Sequence, residues 1–461
     1  MERLSGLIEK ISAAQQVKKG DLWPALKVRV ACEMLALNKG GDDFQWSGHL
    51  AEVPISQVYP EMHPVDQKCL TAGGHIQILR SQPTSEPSDL KEYLDYLYEK
   101  EMFEDIELTL HAILTEQISK KEILSAILSL INTEHLRPDG LPGSFYKYFA
   151  SKIVDLLQAF FNQVLDLQSV MCVFNESFTL NYFATTTLSF INTDHTYCSN
   201  VQRYRQASIF NVDYTILALV LAERLKSIMG YLLNKGKTRP HLSVQDCVHV
   251  FEKIQADSRP VLVFSVNVDP GDVRWLYVFS SLQTLNLPDR FRSIIQSLML
   301  PENRTVNRSG VTSAYSTSVP LSRALKVGCP LTPVLISICL LPFIHSINKE
   351  DRIQGVRIGG EHIKSVLDKD RAIIFLSYTS EGLDIFEELL KDFMKNSGFV
   401  IDSGLSEVFT TGHAGLSLKK ELFKLFKTTH DGFWYKGVLI GSEEVAGPQS
   451  GSMCSNVEKH C

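Results

Sequence analysis

The chain is poor in everything that marks a disulfide scaffold or a metal-binding module. Its nine cysteines, at 32, 69, 172, 198, 247, 329, 339, 454 and 461, form no CxxC pair and no Cys/His spacing that would hold zinc. Scattered thiols of this kind point to a reducing, intracellular setting rather than to a stapled secreted fold. There is no HExxH, no GxSxG and no Walker loop, and the 13 histidines are dispersed, so no standard hydrolase or nucleotide-cradle chemistry is spelled out. No small-molecule substrate or cofactor is evident. The first twenty residues, MERLSGLIEKISAAQQVKKG, are charged and amphipathic and lack an apolar signal core. The longest apolar run, near residues 327–347, carries three prolines and His345, which argues against a membrane span. A long basic block is also missing. Lys and Arg number 46 against 52 Asp and Glu, for a formal charge of −6. That balance weighs against a strong grip on a polyanion, although a local basic groove is compatible with it.

What is present is ordinary globular material: 461 residues, 44% hydrophobic and 21% charged, enough for two or three domains with sizeable cores. Residues 1–40 carry Leu4, Leu7, Ile8 and Ile11 at helical spacing, and residues 41–90 read as an irregular linker. Residues 89–102 read as an amphipathic helix with Leu90, Tyr93, Leu94 and Leu97 on one face. Ser119 and Glu122 form a capping-box pattern ahead of EILSAILSLI. Residues 137–149 read as a Pro-Asp-Gly turn and then an aromatic helix. A further helix buries Leu217, Val220, Leu221, Leu225 and Ile228. Val261 to Trp275 reads as a strand, residues 353–363 as a hairpin, and 364–377 as a second, tighter hairpin. Glu387 to Phe399 reads as a helix closed by Gly398. Residues 442–461, rich in Gly and Ser, have the composition of a disordered tail.

The chain is organised around Leu321–Phe343, LSRALKVGCPLTPVLISICLLPF. Pro330 and Pro333 suit the first turn of a helix, where a missing amide hydrogen costs nothing. Gly328 lets the backbone bend and approach closely just before it. Read by its residues, this is a proline-started core helix. The stretch also resembles the template-gripping motif of reverse transcriptases from non-LTR (LINE-type) retrotransposons, matching at Pro320, Leu321, Gly328, Cys329, Pro330, Leu331 and Pro333, with Lys326 and Val327 in place of arginine and glutamine. Other segments follow the same family in order. Residues 137–149 resemble its fingers region. Tyr204, Arg205 and Ser208 match a template- and nucleotide-holding stretch whose proline is here Gln206, and residues 432–438 resemble its last strand pair. The segment expected between them is not recognisable in KGKTRPHLSVQD. The resemblance spans about residues 75 to 440. It implies an α+β fold, a right-hand polymerase-like fingers and palm with a helical N-terminal extension. The divisions would be 1–110 for extension and linker, 111–255 for fingers, 256–441 for palm and 442–461 for the tail.

Reverse transcriptases of this family hold two Mg²⁺ ions, about 3.5–4 Å apart, on carboxylates from one strand and one hairpin. Collinear alignment puts Ser265 at the first metal-binding aspartate, keeps Asp370 as the first of the hairpin pair, and turns the second into Arg371. An arginine carries a permanent positive charge and does not ligate a metal. Asp269 lies four residues beyond Ser265, on the same strand face but about 13 Å along it. Leu405 stands where the family has a lysine. The resemblance therefore implies a catalytically inactive chain that acts as an RNA- or protein-binding module, with Tyr204, Arg205, Lys326 and Gly328 as template or nucleotide contacts. Two alternatives stay open: an active Mg²⁺-dependent RNA-directed DNA polymerase using Asp370 and Asp269, and a product without function.

Overall fold

A computed structural model describes Trp23, Leu90, Tyr93, Leu94 and Arg137, and residues 108–130, 141–166, 186–192, 204–235, 244–256, 260–269, 273–299, 305–306, 317–318, 325–358, 361–368, 371–410, 421–429, 432–435 and 438–441. The expectations for 1–22, the 41–89 linker, the 442–461 tail, Pro320, Leu321 and Asp370 lie outside these residues. The described residues form a mixed α+β structure.

Its first half is helical: α1 (Leu108–Thr115), α2 (Lys120–Ser129), α3 (Gly143–Tyr148) and α4 (Ala150–Asp166). A hairpin follows, β1 (Thr186–Asn192) and β2 (Tyr204–Phe210), then α5 (Val212–Lys235) and α6 (Val244–Ala256). The capping box is present. Ser119 accepts from the Glu122 amide, and the Glu122 carboxylate accepts from the Ser119 amide at 2.8 Å. This satisfies two donors that a helix start leaves open. Asn162 of α4 grips Ile118 on both sides, accepting from its amide and donating to its carbonyl. Trp23 donates to Asp213 at 3.0 Å and sits 5.7 Å from the Tyr146 ring. Leu90 and Leu94 are helical and buried, as their spacing predicts. The five apolar positions expected to be buried on α5 are all buried.

The second half begins with β3 (Val261–Asp269), α7 (Trp275–Thr284) and α8 (Asp289–Met299). The short pair β4 (Thr305–Val306) and β5 (Thr317–Ser318) precedes α9 (Leu331–Lys349). Next come the hairpins β6 (Val356–Ile358) with β7 (Glu361–Ile363), and β8 (Ser365–Asp368) with β9 (Arg371–Ser377). The chain continues through α10 (Ser380–Ser397), β10 (Val400–Ile401), β11 (Glu407–Thr410), a 3-10 turn at Glu421–Leu425, β12 (Lys427–Thr429), and the hairpin β13 (Gly432–Tyr435) with β14 (Val438–Gly441).

The central sheet has the order β12-β11-β3-β9-β8, with β10 paired to the end of β3. Strands β3 and β9 are buried on both faces. Leu262, Phe264 and Val266 with Ala372, Ile374 and Leu376 face the main core, which includes α9 and α10. Val261 and Val263 with Ile373 and Phe375 face a second apolar cluster, beneath α6 and the β6–β7 and β13–β14 hairpins.

Helix α9 starts at its prolines as expected, with Pro330 as N-cap and Pro333 in the first turn. Pro342 lies inside it and cannot donate to the Ile338 carbonyl. One residue on, the Tyr277 hydroxyl donates to the Cys339 carbonyl at 2.9 Å. By length and apolarity this helix is able to cross a membrane, but 83% of its most apolar window is buried in the protein. That is the position of a core helix.

Two boundaries differ from the sequence reading. Strand β3 ends at Asp269, and Trp275 opens α7. Helix α10 starts at Ser380, not Glu387. The amide of Gly382 donates to the Thr379 cap at 3.0 Å. A Cβ there would meet the Thr379 hydroxyl oxygen at 2.7 Å, so the glycine is what lets the cap close. The far end is as expected, with Gly398 left-handed at φ 76°.

Candidate functional site

Strand order brings together residues that the sequence keeps more than a hundred positions apart. Ser265 lies in the middle of β3, paired with Ile373 of β9 on one side and Glu407 of β11 on the other. Arg371 opens β9 opposite Asn267 of β3, and pairs with Asp368 at the end of β8. Side chains alternate along a strand, so Ser265, Glu407, Asp368 and Arg371 share the face of the second apolar cluster.

The guanidinium is the hub. It donates to Asp368 from Nη2 at 2.6 Å and from Nε at 3.1 Å, both to Oδ2. Nη1 donates to the Ser265 hydroxyl at 3.4 Å, and Nη2 also reaches the Trp434 carbonyl at 2.7 Å. Asp368 is only 5% exposed and the Arg371 side chain 18%. Charged donors on a carboxylate and a carbonyl are among the stronger hydrogen bonds a protein makes.

A divalent-ion pair does not fit these residues. Ser265 is a neutral hydroxyl, the Asp368 carboxylate is engaged by arginine, and the guanidinium adds a fixed positive charge among them. Among the described residues no group of three His, Cys, Asp or Glu side chains is close enough to hold a metal ion. Asp370 lies outside the described residues. Asp269 lies at the far end of β3, opposite Val400. It shares Ser265's face but is not brought to Arg371. Leu405 is exposed, and its carbonyl accepts from Asn267 Nδ2 at 2.7 Å.

The expected template contacts fall in different surroundings. Gly328 is exposed, with φ 93°, a conformation glycine adopts without strain. Lys326 is 2% exposed. Its ammonium donates to the Leu298 carbonyl at 2.6 Å and lies 5.2 Å from the Tyr214 ring and 5.7 Å from the Phe210 ring. Its own carbonyl accepts from the Thr332 hydroxyl and the Cys329 amide. The side chain thus builds the turn into the core rather than projecting towards solvent. Beside it, burial pushes the Cys329 thiol up, outweighing the hydrogen bond with Tyr214. Tyr204 and Arg205 open β2, paired with Asn192 and Ile191.

Three participants escaped the sequence reading. Glu407 is placed beside Ser265 by register alone, and the Trp434 carbonyl by docking of the last hairpin; neither leaves a local signal. Asp368 did leave one: an acid and an arginine three apart, bracketing a two-residue turn, are direct cross-strand partners in a hairpin.

No protein-family model matches the chain.

Proposed function

We propose that this chain derives from a LINE-type reverse transcriptase, with residues 111–255 as fingers and 256–441 as palm, and that it is a catalytically inactive module that binds RNA or protein. The observation that carries the reading is the Arg371 guanidinium, held between Asp368 and Ser265 where the resembled enzymes present carboxylates to metal. A site closed by its own cation has no open ligand position for a second one. Collinear order of the resembling segments supports the ancestry, and the two intact apolar clusters support a chain that still folds.

The test is primer extension on an oligo-primed RNA template, with Mg²⁺ and Mn²⁺ supplied separately. The native chain is expected to be silent. Extension that disappears in Asp370→Ala would overturn the reading and make this an active polymerase. The pair Ser265→Asp with Arg371→Asp runs alongside, and activity there would mean that only the chemistry was lost. Affinity for RNA that falls steeply with salt would identify RNA as the ligand. RNA affinity too weak to measure, with a protein captured at low and high salt alike, would identify a protein partner.

A further inference from the structure

The Arg371 cation reaches beyond the sheet it belongs to. Three of its four contacts stay among β3, β8 and β9, but the fourth crosses to the backbone of β13, at the Trp434 carbonyl. A second polar tie joins the hairpin to the sheet edge, where the Thr429 hydroxyl of β12 donates to the Gly432 carbonyl at 3.0 Å. The hairpin rests on Phe433, whose ring lies 6.5 Å from Phe251, 5.9 Å from Phe375 and 6.3 Å from Phe409. Trp434, on the opposite side of the strand, is 38% exposed. Apolar contact of this kind is non-directional and does not single out one backbone carbonyl. A charged donor aimed at one particular carbonyl does.

We infer that Arg371 is a latch that fastens the β13–β14 hairpin over the Ser265–Asp368 face of the central sheet, and that releasing it opens the hairpin while the sheet stays folded. Asp368 is the positioning residue. By accepting from Nε and Nη2 together it fixes the plane of the guanidinium, leaving Nη2 directed at Trp434 as well. Lysine cannot reproduce this. Its single ammonium lacks the planar fork that serves a carboxylate and a carbonyl at once. The latch needs neither RNA nor metal, so its failure and the failure of the binding-module reading are separate results.

Amide hydrogen exchange on the full chain tests it, comparing native protein with Arg371→Met, Arg371→Lys and the double variant Asp368→Leu/Arg371→Met. Losing one charge-assisted hydrogen bond is expected to speed exchange in β13 and β14 about 10-fold, with β3 and β9 changing less. Arg371→Lys is expected to fall between native and Arg371→Met. Because Arg371→Met also strips the guanidinium from a buried carboxylate, it is expected to melt lower. The double variant removes both charges. It is expected to recover the melting temperature while the hairpin still exchanges fast. Restored protection of the hairpin in the double variant would overturn the latch, because the arginine would then serve only Asp368. Unchanged hairpin exchange in Arg371→Met would overturn it too. If Arg371→Met does not fold, the double variant alone decides.

Discussion

Removing Arg224 tests how the helical half is held together. Its side chain is 6% exposed, and it reaches two carbonyls of the segment that joins α1 to α2 and one carboxylate in the first turn of α2. Nε donates to Glu122 Oε1 at 2.7 Å and Nη2 to Oε2 at 3.2 Å, a two-pronged pair. Nη1 donates to the Glu116 carbonyl at 2.7 Å and Nη2 to that of Gln117 at 3.2 Å, taking up carbonyls at the end of α1. Breaking a buried pair by deleting one partner costs about 3–5 kcal/mol. Glu122 is 33% exposed, so water recovers part of that loss. Arg224→Met is therefore expected to destabilise by about 2–4 kcal/mol, read as a fall in the urea midpoint with unchanged slope. A double-mutant cycle with Glu122→Gln isolates the pair and is expected to give a coupling above about 1.5 kcal/mol. Coupling below about 0.5 kcal/mol, the size of an exposed ion pair, would refute the reasoning. The same pair sets an acid limit. Burial pushes the Glu122 carboxyl up, but hydrogen bonds from Arg224 and from Ser119 outweigh it and leave it below the ordinary glutamate range. In the window between those two values the unfolded chain binds the extra proton. The stabilisation is thus complete above the ordinary glutamate range and fades as pH falls through the lowered value. Glu122→Gln is expected to lack this slope.

Gly328→Ala forces a side chain into positive φ and is expected to cost about 1–2 kcal/mol in chemical denaturation; no loss at all would mean the turn relaxes to another geometry. Lys326→Met keeps the volume and removes the buried ammonium, so stability is expected to shift by less than about 1.5 kcal/mol. If the chain binds RNA, the salt dependence of that affinity is expected to be the same as native, because the ammonium faces Leu298 and two rings. A shallower slope, measured by fluorescence anisotropy, would show that Lys326 contacts phosphate after all. Ser119→Ala removes the cap that opens α2 and is expected to lower stability by about 1 kcal/mol, seen as a lower melting temperature.

Elements with local chemistry were legible in the sequence. Ser119 and Glu122 announce a helix start, Gly398 a helix end, and the alternation over 353–363 a pair of strands, because each signal is set by neighbours a few residues away. Helix α10 was only half legible: Gly398 marks its end, whereas its start lies behind the Thr379 cap, ahead of the expected Glu387. The surroundings of Lys326 were not legible. The resemblance offers it as a template contact, and the approach of Leu298, Phe210 and Tyr214 from distant segments makes it a buried residue. The Ser265–Arg371 encounter was legible as two altered positions in a resembling motif, whereas their contact, and Glu407 beside them, depend on strand order, which one sequence does not spell out.

Strands β3 and β9 alternate between two apolar clusters rather than between core and water. The run Ala372-Ile373-Ile374-Phe375-Leu376 is consequently apolar throughout, and sliding it by one residue would still bury every side chain. Hydrophobic pattern, the usual arbiter of register, is nearly silent here. What distinguishes the correct alignment stands at the strand's two ends. Arg371 reaches Asp368 and Ser265 at the start, and at the finish the Ser377 hydroxyl donates to the Gly355 carbonyl at 3.1 Å while its amide donates to Gln354 at 2.7 Å. A slipped β9 would strand all of these polar groups in a greasy interior. The polar termini therefore act as bookends, rejecting the misaligned sheets that the apolar run between them would accept.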